Sequence, residues 1–163
     1  MLAFDLQDDI VSRLELRVIP DIVWLVSAGL MWLVATLTPT LSVGVWLRLV
    51  GTAALLAAGI GLIVAARVEL ARAHTTFNPV APDRSSELVT TGVYRFTRNP
   101  IYLGMLLVLI ALAAWLSNLY SLVLPVVFVV YITRWQIQPE ERVLRARFGP
   151  DYDDYAVRVG RWL

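Results

Sequence analysis

From Ile101 to Thr133 the chain carries no charged residue, and nothing else in it restricts the fold as much. Such a run cannot face water along its length. It is too long for one ordinary membrane crossing and short for two, since a full crossing takes roughly 20 residues. The Ser117-Asn118 pair in its middle predicts a tight hairpin, with arms over 101–116 and 119–135. Pro125 is expected to kink the second arm. Arms this short are accommodated by bilayer thinning or by oligomer contacts.

Two more apolar segments lie upstream, at 19–37 and 46–66, joined by the short turn "TPTLSVG". Asp21 sits near the entry of the first, which holds Trp24 and Trp32; Arg48 lies close enough to the end of the second to snorkel. With 58% hydrophobic residues and a mean hydropathy of +0.68, the chain reads as an all-α integral membrane protein. Its 163 residues make a single domain, 1–163, with four spans. A polar loop, 67–99, separates the two pairs of spans. Its first part, Arg67 to His74, is expected to continue the second helix beyond the lipid, and Pro79 and Pro82 then impose irregular backbone. At the start, Leu6, Ile10, Leu14 and Val18 recur at helical spacing and predict an interfacial helix. No basic region leads into an apolar stretch there, so no signal peptide is expected.

Orientation follows from the cations, all fourteen of which are arginine. Thirteen fall in the N-terminal segment, the central loop or the C-terminal segment, and only Arg48 lies near the opposite side. An even number of spans puts those three regions on one face. The positive-inside rule makes that face cytoplasmic, with both termini.

Several chemistries are excluded. No cysteine means no disulfide, thiolate ligand or cysteine nucleophile, and a lone His74 gives no credible metal site. "AAGIGL" lies inside an apolar span, so it is not a phosphate-binding loop, and no serine elbow is present. The net charge of +1 implies no nucleic-acid partner. The oligomeric state is left open.

The polar chemistry gathers in two blocks on one face. The first is "TTGVYRFTRNPIYLG", 90–104, at the mouth of the third span. Asn99 is a good helix N-cap and Pro100 suits the first turn, so the pair either simply starts the span or opens a helix N-terminus able to receive an anion. Arg95 and Arg98 read as membrane anchors or as ligand contacts, and Tyr94 and Tyr102 as interfacial aromatics or as part of a site. Gly92 permits close backbone approach. The second block is "QPEERVLRARFGPDYDDYAVRVGRWL". Pro139 is expected to open a helix, with Glu140 and Glu141 in its first turn and Gly149-Pro150 as its stop; C-terminal helices then fill 139–163. Glu141 has Arg145 at helical pairing distance. Val143, Leu144 and Phe148 make one apolar stripe and Tyr152, Tyr155, Val159 and Trp162 another. A carboxylate beside the mouth of the third span could hold ribose hydroxyls or an ammonium group.

Taken in order, "LVTTGVYRFTRNPIYLGM", a short hydrophobic hairpin and "EERVLRARFGPDYDDY" resemble the isoprenylcysteine carboxyl methyltransferase family, a group related to the membrane phospholipid methyltransferases. The resemblance covers about residues 75 to 163. It implies a membrane methyltransferase using S-adenosyl-L-methionine on a lipophilic small-molecule or lipid acceptor, with a cytoplasmic-side pocket roofed by the two blocks. The cofactor contacts it implies are Ser86, Glu87, Leu88, Val89, Tyr94, Asn99, Pro100, Ile101, Tyr102 and Glu140. The catalytic group it implies is Arg98, Asn99 and Glu141, with Arg134 near the substrate entrance. Asn99 departs from the histidine of the family's Arg-His-Pro triplet. Since an amide takes up no proton at neutral pH, an acceptor that arrives deprotonated, a carboxylate or thiolate, is favoured over a phospholipid amine. A membrane reductase using NADPH and a non-catalytic membrane scaffold are the alternatives.

Overall fold

The computed structural model describes residues 19–73 and 87–163. The interfacial helix expected around Leu6 to Val18, His74, Pro79, Pro82 and Ser86 fall outside them. Every regular element among the described residues is helical, as the sequence led us to expect.

Helix α1, Pro20–Leu37, starts on a proline that has no amide to leave unpaired. Helix α2, Val45–Arg72, has 28 residues. At about 42 Å it outruns a hydrocarbon core of about 30 Å, so its last turns project beyond the lipid. They carry Arg67, Glu69 and Arg72. The expected span at 46–66 is therefore the middle of a longer helix.

Helix α3, Pro100–Leu116, is apolar on all sides and contributes the largest share of the core, including Tyr102, Met105 and Leu109. It crosses α2 at two glycines. A methyl group on Gly104 would stand 2.6 Å from the Gly59 carbonyl oxygen, and one on Gly59 would stand 2.8 Å from that of Gly104. Small residues of this kind let membrane helices touch backbone to backbone. The apolar "AAGIGL" thus has a packing role. Helix α1 is tied to α3 by the Trp24 indole, which donates to the Met105 carbonyl at 3.0 Å.

The hairpin forms where expected. Ser117 takes the left-handed conformation, φ 49°, and ends α3. Asn118 Nδ2 donates to Thr38 Oγ1 at 2.8 Å and to the Pro39 carbonyl at 3.1 Å, while its Oδ1 receives the Ser121 amide. The turn is thereby stitched to the α1–α2 link, meeting the backbone's hydrogen-bond needs from within. Arg48, at the same end, lies over the Trp115 ring with its guanidinium carbon 5.0 Å from the centroid.

The fourth pass differs from expectation. A 3₁₀ turn (Tyr120–Leu122), α4 (Val123–Ile132), a π turn (Thr133–Ile137) and α5 (Gln138–Phe148) follow one another without a gap. Pro125 falls in the first turn of α4, where a proline costs no helix hydrogen bond. Pro139 does not open a separate helix. A proline ring inside an α-helix collides with the carbonyl four residues back, here that of Trp135. The π turn that holds Trp135 widens the helix at that point and accommodates the ring. Among the described residues, three helical runs are long and apolar enough to cross a membrane, Pro20–Leu37, Val45–Arg72 and Tyr120–Phe148, with α3 a shorter apolar fourth.

Gly149, φ 52°, ends α5, and Pro150 opens α6, Pro150–Arg158. The stripe expected to run on to Trp162 breaks here. Tyr152, Tyr155 and Val159 pack with Leu88, Leu144 and Phe148. Val159 is already extended, and Trp162 turns away to join the transmembrane core.

Candidate functional site

At the end of the bundle opposite the Ser117 turn, three chain segments meet: the loop into α3, the π turn with α5, and the tail after α6. The loop is anchored first. Glu69, on the projecting end of α2, accepts the Thr91 hydroxyl at 2.9 Å and pairs with Arg72 at 3.1 Å. Gly92 then turns at φ +56°, where a Cβ would lie 2.5 Å from the Glu69 carboxyl carbon, so only glycine passes. Tyr94 is buried, and its carbonyl accepts the Tyr155 hydroxyl at 2.7 Å. Burial holds both phenols well above their ordinary range, which keeps Tyr155 a donor. Tyr94 and Tyr102 are thus core residues, not interfacial aromatics.

Arg98 and Glu141 come together at 3.0 Å, both largely buried. Arg161, from the tail, completes the group. Its Nη2 and Nε meet the two Glu141 oxygens at 2.6 and 3.0 Å. The Arg145 pairing suggested by helical spacing does not form; Arg145 binds Asp153 at 2.6 Å. Arg98 Nε is buried with no hydrogen-bond partner among the described residues.

Asn99 occupies the N-cap position, yet its side chain caps nothing. The amide Nδ2 donates to the Arg161 carbonyl at 2.9 Å, and the Thr97 hydroxyl donates to the same oxygen at 3.4 Å while accepting the Asn99 amide. The side-chain cap read from the sequence does not form; the Asn99 amide is committed through Nδ2 to the tail, and its Oδ1 receives none of the free helix amides. Pro100 and Ile101 follow, buried in the core.

A second polar group, of three side chains, lies at the first turn of α3. The Tyr102 hydroxyl donates to Glu140 Oε1 at 2.8 Å, and Gln136 Nε2 donates to the same oxygen at 2.5 Å. All three side chains are buried. The dipole reading of Glu140 and Glu141 loses its basis, since the residue before α5 is itself helical and no free helix N-terminus exists.

Of the other residues singled out from the sequence, Leu88 packs beside Tyr152 and Val89 against the transmembrane core. Glu87 is exposed. Arg134 is exposed on the π turn, with Nη1 3.4 Å from Gln138 Oε1. Ser86 lies outside the described residues. Sequence reasoning missed Gln136, Thr133, Thr97, Tyr155 and Arg161. Only Gln136 offered a local signal, standing four residues before Glu140 on one helical face.

A family model described as phospholipid methyltransferase matches residues 46–151. Among curated proteins, the chain is 33% identical over 91 residues to protein-S-isoprenylcysteine O-methyltransferase B of Arabidopsis thaliana, covering 54% of this chain and 45% of that one. It is 37% identical over 85 residues to the nickel-cobalt-cadmium resistance protein NccN of Alcaligenes xylosoxydans xylosoxydans, covering 47% and 35%. An uncharacterized protein of Haemophilus influenzae is 38% identical over 63 residues, 39% of this chain and all of the other. The chain thus spans under half the length of the Arabidopsis and Alcaligenes relatives. No solved structure matches it.

Proposed function

Because this chain belongs to the phospholipid methyltransferase family, we propose that it transfers a methyl group from S-adenosyl-L-methionine to a lipophilic acceptor, a carboxylate or thiol held at the membrane. The observation that carries this is the cluster of Arg98, Asn99, Glu141 and Arg161 at the N-terminal end of α3. Two guanidinium groups against one carboxylate leave a net positive charge. Arg98 Nε also remains buried and unpartnered there. An anionic group is what such a place accepts.

The residues fit the cofactor. Glu140 offers a buried carboxylate for ribose hydroxyls or an ammonium group, Arg98 an N–H for a carboxylate, and Tyr94 and Tyr102 buried rings that back the site. When bound, the cofactor supplies an electrophilic methyl on a sulfonium. Arg98, Asn99 and Glu141 then act by holding charge and orienting the acceptor, with Leu88, Val89, Pro100 and Ile101 excluding water. Glu87 and Ser86, at the loop's start, and Arg134, on the exposed side of the π turn, are the remaining contacts we assign, Arg134 on the acceptor's path.

Asn99 carries the argument about the acceptor. Its N–H is taken by the Arg161 carbonyl, and an amide is no base near neutral pH. An acceptor that arrives ionised needs none. We place this face in the cytoplasm, from the arginine bias.

Titration of the detergent-purified protein with S-adenosyl-L-methionine tests the cofactor, and absence of binding at millimolar concentration ends the proposal. Labelled methyl transfer into membrane extracts then sorts acceptors. Label released as methanol by mild alkali marks a carboxyl ester, while alkali-stable label in phospholipid marks the amine that the family's description names.

A further inference from the structure

We infer, resting on the methyltransferase reading, that Arg161 is a positioning residue whose guanidinium fixes Glu141 and whose carbonyl fixes Asn99, so that it decides how Arg98 is presented. Three observations carry this. The first is that Arg161 touches both halves of the cluster. It grips both oxygens of Glu141 on α5 and receives the Asn99 amide at the start of α3.

The second is that the tail around Arg161 is pinned on either side. Before it, the Gly160 carbonyl accepts the Arg98 amide at 3.0 Å. After it, the Trp162 indole donates to Thr133 Oγ1 at 3.1 Å, on the π turn, and packs against the core. The carbonyl of Arg161 also accepts the buried Thr97 hydroxyl. A residue held this way cannot shift without disturbing the loop and the fourth helix together.

The third is competition for Glu141. A guanidinium prefers to meet a carboxylate through two parallel N–H bonds. Arg161 takes that forked arrangement, while Arg98 meets Glu141 Oε1 through Nη2. Its Nε, buried and unpartnered, stays available as a consequence. Remove the Arg161 fork and Glu141 can take Arg98 in both hands, withdrawing that N–H from any ligand.

The test is a double-mutant cycle on the full chain in detergent, with S-adenosyl-L-methionine titrated into the parent, R161Q, R161K, E141Q and E141Q/R161Q, and the thermal midpoint recorded for each. R161Q is expected to weaken binding about tenfold, a value set low because the pair is partly exposed. R161K, which keeps the charge and loses the fork, should fall between R161Q and the parent. The double variant should bind about fivefold better than the product of the single losses, because Arg161 acts through Glu141. Parental binding by R161Q, or additive losses as a merely structural tail would give, overturns the inference. Should R161Q not fold, R161K decides: weakened binding upholds the claim and parental binding overturns it. If the parent binds no cofactor, the methyltransferase reading fails on its own. Hydrogen exchange at the Arg98 amide then decides the positioning claim: protection lost in R161Q upholds it, and unchanged protection overturns it.

Discussion

Tyr102→Phe removes a single oxygen and leaves the ring in place. Tyr102 is 1% exposed and Glu140 8%, so no water can substitute for the lost donor. The 2.8 Å bond to Glu140 Oε1 disappears together with the hydroxyl's own contact with Gln136, while the Gln136 donor to Glu140 survives. With Glu140 ionised, as mildly alkaline buffer ensures, a hydrogen bond to this charged group contributes about 1.5–3 kcal/mol. With one donor remaining, a loss near the lower end, about 2 kcal/mol, is expected. At roughly 2–4 °C per kcal/mol for a chain of this size, the thermal midpoint should drop by about 5 °C. Thermal unfolding in detergent measures it, and Glu140→Gln supplies the comparison. In that background the acceptor is neutral, so the same Tyr102→Phe change should cost about half as much. Equal costs in both backgrounds would show that charge plays no part in the bond. No loss in either would refute the network as a source of stability.

Gly104→Ala should destabilise by about 1–3 kcal/mol, because the new methyl meets the Gly59 carbonyl and Ile63 at 2.6 Å. Gly61→Ala, with nothing within 4 Å, should be neutral or better in the same unfolding assay; equal behaviour of the two would deny the close α2–α3 crossing. Burial raises the Tyr152 phenol from 10.0 to about 12. Below pH 10 both states keep the proton, and between pH 10 and about 12 the unfolded chain releases it first, so stability falls as pH rises. Tyr152→Phe should make that alkaline loss shallower, though not flat, since Tyr94 and Tyr155 are raised as well. Asn99→His should retain cofactor binding, because an imidazole N–H can still reach the Arg161 carbonyl. Asn99→Asp, which loses the donor and sets a negative charge against the Arg161 carbonyl, should not; equal affinities in a titration would remove Asn99 from the site.

The parts of this fold that could be read from sequence are those written in short windows. A charge-free run broken by Ser117-Asn118 states its own hairpin, and Gly149-Pro150 states its own break. The π turn has no such signature. Pro139 taken alone reads as a helix start, and only the helical conformation on both sides of it reveals a continuous run. The site divides along the same line. Arg98, Asn99, Tyr102, Glu140 and Glu141 were visible because two dense polar blocks flank an apolar hairpin, and the hairpin must bring them to one face. Their partners were not. Asn99 and Arg161 are 62 positions apart and Arg161 and Glu141 20, and nothing local marks one arginine among fourteen. The error over Asn99 has the same origin. Its cap propensity is a local preference of about 1 kcal/mol, and a half-buried carbonyl delivered by the tail can exceed it. Local preference names the residue that stands at the mouth of α3, and the returning tail settles which bond it makes.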